Sequence, residues 1–230
     1  MGDIGDYVKL ALLRNLARGR RLGIAWYLFP DEGHNDDGKH ISYLSNPQKW
    51  RHLDPELFDR LGDVVAQDRS LRSLEQSGIL EKTTFSRQEV YSERPPKERV
   101  DWRSKWFQGV LDELHGCDLV FADPDNGIVD NCAKRARHKK FGKQIPLSEI
   151  LSLAEGRTAM IYHHNTRRKG GHDLEVDHWL NEIDAPALAI RANAFSCRTF
   201  FVINPDSEVA DRARNFADNW ARHGVWIHGK

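Results

Sequence analysis

The chain has 230 residues, 40% of them hydrophobic and seven of them tryptophan, which excludes wholesale disorder and allows a sizeable core. Its 34 basic residues balance 34 acidic ones, so overall charge is excluded as a basis for binding nucleic acid and only local patches remain. The longest apolar run, Leu22 to Phe29, is far short of the roughly 20 residues that span a bilayer; with no signal-peptide pattern at the N-terminus and no CxxC pair among Cys117, Cys132 and Cys197, the expectation is a cytoplasmic protein without a membrane partner.

In chain order, Asp6 is placed to cap a first helix whose apolar side carries Tyr7, Leu10 and Leu13, and Gly19 to end it. Gly23 to Phe29 reads as a buried strand, bounded by Gly and Pro. Helices are predicted over 55–66 and 70–76, and a poorer strand over 83–91. Trp102, Trp106, Phe107, Val110, Leu111 and Leu114 recur at helical spacing, and a strand follows over 117–122. Pro146 starts a helix and Gly156 ends it, ahead of a strand over 158–162. Asp173 is placed to cap a helix reaching Ile183. Strands over 187–192 and 199–203 precede a helix carrying Val209, Phe216 and Trp220, and a strand over 225–228 ends the chain. Strands alternating with helices predict one α/β domain over 1–230, a Rossmann-like, mostly parallel sheet flanked by helices. The closely spaced strands near 187 and 199 predict an antiparallel edge, and the region around 45–82 a small helical insertion.

In such sheets, ligands bind beyond the carboxyl ends of the strands. Three polar stretches follow predicted strands: Pro30 to Asp37, Asp123-Pro-Asp-Asn-Gly127 and His163 to Lys169. The middle one carries most weight, because a carboxylate at a strand end followed by a stiffening proline offers a fixed acceptor, with Asp125 and Asn126 beside it. Six Lys or Arg and no acid lie between Lys134 and Lys143, and Arg167, Arg168 and Lys169 form a second cluster. Both follow strand ends, so Lys139, Lys140, Arg167 and Arg168 are candidates to flank one crevice and attract a phosphate backbone or another anion. Phe141 and Tyr162 are candidates to stack a base. His163 and His164 are adjacent, so on a strand they point to opposite faces and cannot both serve one site; one is expected to face the crevice, and His163 is a candidate substrate contact. No GxGxxG or GxxxxGK[ST] cradle occurs.

The segment Gly2-Asp-Ile-Gly-Asp6-Tyr-Val-Lys9, the strand ending Asp123-Pro124 and the strand Phe200-Phe-Val-Ile-Asn-Pro205 together resemble the large-subunit rRNA adenine-N6 methyltransferase family. Members of that family open with a Gly-Asn-x-x-Asp-Val-x-Lys-like segment, carry an Asp-Pro-Pro-Tyr turn and end with an Ile-Asn-Pro strand. Where they have Pro-Tyr, this chain has Asp125-Asn126, and Leu10 follows Lys9 where they have histidine. The segment around Asp123 to Gly127 is also similar to a group of uncharacterised bacterial proteins. The methyltransferase resemblance implies that Asp123 and the Pro124 carbonyl accept hydrogen bonds from an exocyclic amine, with Asn126 assisting, and turn its lone pair toward the methyl of S-adenosylmethionine. It implies Lys9 near the cofactor, with Asp31 or Glu32 on its hydroxyl or amino groups, and a nucleic acid or nucleotide as partner. Two other readings use the same crevice. In one, Asp31, Asp36, Asp123 and Asp125 hold Mg²⁺ or Mn²⁺ for phosphoester hydrolysis; in the other, a basic rim binds nucleic acid without catalysis.

Overall fold

The computed structural model describes residues 1–30, 40–90, 93–194 and 196–229. Strands Leu22–Ala25 (β1), Thr83–Ser86 (β2), Leu119–Ala122 (β3), Thr158–His164 (β6), Ala187–Ala192 (β7), Arg198–Ile203 (β8) and Val225–Ile227 (β9) form one sheet. Their order is β2-β1-β3-β6-β8-β7-β9. Strands β2, β1, β3 and β6 pair in parallel, β8 runs antiparallel between β6 and β7, and β9 pairs antiparallel with β7. This is the Rossmann-like, mostly parallel α/β sheet the alternation predicts, with its antiparallel portion at one edge. Gly127–Val129 (β4) and Gln144–Pro146 (β5) form a separate parallel pair.

The central strands read as unbroken apolar runs because both faces are covered. In β3, Leu119 and Phe121 join one core, with the helices Ile4–Leu16 (α1) and Ser207–Trp220 (α8); Val120 and Ala122 join the other. That second core contains Arg99–Glu113 (α5), Leu147–Leu153 (α6) and Gly171–Glu182 (α7). Helices Pro47–Trp50 (α2), Pro55–Gln67 (α3) and Leu71–Gln76 (α4) occupy the connection between β1 and β2. Among the described residues, no helix is long and apolar enough to cross a membrane.

Several boundaries differ from the sequence expectation. Asp3, not Asp6, caps α1: its carboxylate accepts from the Asp6 N–H at 2.8 Å, while the Asp6 carboxylate turns back to the Gly2 N–H at 2.7 Å. Strand β1 stops at Ala25 instead of Phe29, because Tyr27 adopts a left-handed backbone, φ 52°. Strand β2 ends at Ser86, short of the predicted run, whose last residue lies outside the described residues. Asp173 lies in the first turn of α7, where it pairs with Arg191, and the cap position belongs to Gly170.

Candidate functional site

The exits of β1, β3 and β6 share one sheet edge because the three strands are parallel neighbours in register, Ala25 beside Ala122 and Ala122 beside Ile161. Strand β8 starts at that edge, with Arg198 opposite His164. Helix α1 lies over it, and its first turns bring Asp6 and Lys9 to the end of β3.

Lys9 Nζ lies 2.8 Å from Asp123 Oδ2 and 2.9 Å from Asp6 Oδ1, with all three side chains largely withdrawn from water. Burial would lower the ammonium's pKa, but the two carboxylates outweigh it and hold Lys9 above the ordinary lysine value. The carboxylates differ. Burial raises both, yet Asp6 is pulled below its usual range by Lys9 and the Gly2 N–H. Asp123 ends above its usual range: burial and the charges of Asp6 and Asp125 exceed the attraction of Lys9. Among the described residues Lys9 is the only side-chain partner of Asp123, so Oδ1 is left to accept from a ligand. Trp26 closes this side, its ring 5.9 Å from Lys9 Nζ and its Nε1 donating to Glu75 at 2.8 Å.

Beyond Asp123 the chain turns sharply. The Asp123 N–H bonds the Ala25 carbonyl at 3.0 Å, and the Gly127 N–H bonds the Pro124 carbonyl at 3.3 Å. That carbonyl therefore has one lone pair engaged in the turn and a second to offer. Pro124 is buried, whereas Asp125 and Asn126 are exposed. Asn126 is fixed through its N–H to the Lys143 carbonyl at 2.8 Å, and Lys143 Nζ pairs with Asp125 at 3.4 Å.

His163 fastens the same turn from below. Its Nδ1 accepts from the Ile128 N–H at 3.0 Å, which leaves Nε2 to donate to Glu175 Oε1 at 3.2 Å. Burial would raise the Glu175 pKa, but His163 and Thr166 bring it down to about 2. His163 is thus a clamp inside the protein, 1% exposed, and His164 is the exposed member of the pair. A Cβ on Gly127 would sit 2.4 Å from His163 Nδ1 and 2.7 Å from its Cα, and Gly127 has φ 81°. Gly127→Ala is therefore expected to cost at least about 2–3 kcal/mol, the left-handed penalty plus a displaced backbone. A urea midpoint equal to that of the wild type would contradict this.

Of the remaining sequence candidates, Tyr162 lies on the α1 face, its hydroxyl 3.3 Å from His164 Nδ1 and pushed up by burial to about 12. Phe141 is buried, its ring under the Arg103 guanidinium at 5.2 Å, so it packs the core instead of lying open at the rim. Lys139 is exposed and pairs with Glu93 at 2.9 Å; Lys140, Arg167 and Arg168 are also exposed. Asp31, Glu32 and Asp36 lie outside the described residues. Among the described residues, no group of three His, Cys, Asp or Glu side chains is arranged to hold a metal ion.

Sequence reasoning missed two contributors. Asp6 was legible as an acid three residues before Lys9 on an otherwise apolar helix. Arg198 carried no signal, yet it is 8% exposed, its guanidinium against Gly5 in the first turn of α1, and its Nε has no partner among the described residues.

No protein-family model matches this chain, and a search of curated proteins returns no relative.

Proposed function

We propose that the protein is a divergent S-adenosylmethionine-dependent methyltransferase acting on an amine of a nucleic acid or nucleotide. The observation that carries this reading is the Lys9–Asp123 contact: two residues from separate segments of the family resemblance, 114 apart in sequence, form a buried ion pair at the carboxyl edge of a Rossmann-like sheet. The residues also fit the cofactor. Arg198, whose Nε has no partner among the described residues, offers a donor that would hold a carboxylate, while the surplus negative charge around Lys9 favours a cationic centre. When bound, the cofactor supplies an electrophilic methyl group.

The chain's own residues then divide the work. Lys9 is committed to Asp6 and Asp123, so it acts on the site by positioning Asp123. Asp123 Oδ1 accepts one amine hydrogen and the free lone pair of the Pro124 carbonyl a second, which orients the nitrogen lone pair. With its pKa raised, Asp123 is suited to take the proton that the amine sheds. The exposed Asn126, Arg167 and Arg168 border the acceptor's approach.

Calorimetry with S-adenosylhomocysteine on the full chain tests the reading. Saturable heat is expected, and none at near-millimolar ligand would end it. Asp123→Asn should keep the carbonyl that Lys9 needs and hence the fold. It should lower methyl transfer by about 10²-fold or more, measured as label transferred to a mixed RNA and nucleotide pool.

A further inference from the structure

At the opposite, amino edge of the sheet lies a cavity of about 1070 Å³, at the upper end of the range that encloses small ligands. Its walls are the last turns of α1, the turn into β1, the start of α3, the segment leading into β2 and the end of α8. The half-buried Leu53 and, almost wholly buried beneath it, Leu22, Ile79, Leu80 and Phe216 form its apolar side.

Five cationic side chains line the cavity (Arg14, Arg18, Arg20, Arg21 and Lys82), against three acids, Asp54, Glu56 and Glu81. Arg14 is fully engaged by Asp54, Glu56 and the Ile79 carbonyl. Arg21 pairs with Asp118 outside the cavity. Among the described residues Arg20 meets Asp206 and Glu208 through Nη2, and its buried Nε has no partner. Arg18 and Lys82 have no ion pair among the described residues. Asn15 Oδ1 is also buried, without a donor among the described residues. Two of the carbonyls at and just past the end of α1, which would repel an anion, are occupied: Arg212 Nη1 bonds those of Leu16 and Arg18. Lys82 sits at φ 52°, a backbone cost of the kind found where a side chain is held for a ligand.

We propose that this cavity binds a phosphate-bearing ligand of nucleotide size, its phosphates on Arg18 and Lys82 and its ring over the apolar wall. The proposal is independent of the carboxyl-edge reading, since no residue is shared between the two places. The test is fluorescence titration of the full chain with a methylanthraniloyl-labelled adenosine diphosphate, with inorganic pyrophosphate as competitor. Saturable binding is expected, displaced by pyrophosphate, unchanged in Asp123→Asn and weakened about tenfold or more in Arg18→Glu/Lys82→Glu. Both reversed residues are exposed, and thermal melting checks that the double variant folds. No saturation at roughly millimolar probe overturns the proposal. So does equal affinity in the double variant, loss of binding in Asp123→Asn, or binding of a short single-stranded RNA in place of the diphosphate. Failure of S-adenosylhomocysteine to bind would leave it untouched.

Discussion

Lys9→Met is expected to lower the melting temperature by roughly 10 °C at pH 7. Removing one partner of a buried ionic cluster strands the others, at about 3–5 kcal/mol, and a chain of this length loses about 2–4 °C per kcal/mol. The pH dependence identifies the cause. In the wild type the Lys9 pKa is raised, so its contribution is complete below the ordinary lysine value of about 10.4 and is lost only as pH rises through the higher folded value. Asp6 is lowered, so its contribution is present above about 3.9 and lost as pH falls through the lower folded value. Asp123 is raised and has the opposite sign: its charged form opposes folding at neutral pH, and that cost fades as pH falls. Without the ammonium, both carboxyls move up. The deficit of Lys9→Met should therefore be largest near neutrality and shrink as pH approaches the carboxylate range. Melting curves from pH 5 to 8 measure this, and a deficit that grows toward acid would mean that Lys9 serves the fold in some other way.

The fold was legible because its signals are redundant. A central strand such as β3 is apolar on both faces, and the glycines and prolines between elements mark most of the turns. Boundaries were less legible where one residue's conformation decides. Nothing in Trp26-Tyr27-Leu28-Phe29 announces the left-handed Tyr27, since the same letters would suit a longer strand. The β4–β5 pair was invisible for a different reason: strands of three residues are too short to show a period of two. At α1, two aspartates stand close enough to compete for the cap, and only the tertiary demand of Lys9 and the Gly2 N–H on Asp6 separates them.

The candidate site divides along the same line. Asp123, Pro124 and Lys9 could be named from sequence because strand exits and a family-like order of residues point to them. Their partners could not, because Asp6 and Arg198 act through contacts that depend on where α1 lies on the sheet. His163 shows the limit from the other side. Its place at a strand exit suggested the crevice, and alternation correctly divided it from His164, but alternation cannot say which face the crevice uses. The structure gives His163 to the α7 side, where it and Glu175 brace the Asp123–Gly127 turn. A residue read as a ligand contact thus supports the Asp123–Gly127 turn from behind.

The second large effect belongs to a buried pair that the sequence shows only as two ordinary helical charges. Arg103 on α5 donates from Nε and Nη2 to the Glu149 carboxylate of α6 at 2.7 and 2.8 Å, and from Nη2 to the Gln144 carbonyl. Its guanidinium lies 4.5 Å from the Trp106 ring centroid and 5.2 Å from those of Tyr27 and Phe141. The Tyr27 hydroxyl donates to the same carboxylate at 2.9 Å, so the pair ties the exit of β1 to two helices. Glu149→Ala leaves an arginine that cannot shed its charge among three rings, and should cost about 3–5 kcal/mol with little relief at any pH. Arg103→Met leaves a carboxyl that can neutralise itself, so its cost should ease toward acid. The double variant Arg103→Met/Glu149→Leu removes both charges and should recover most of the loss, giving a coupling of several kcal/mol in a double-variant cycle. A double variant as unstable as the sum of the singles would mean that the cost is one of packing, and that the ion pair itself holds nothing together.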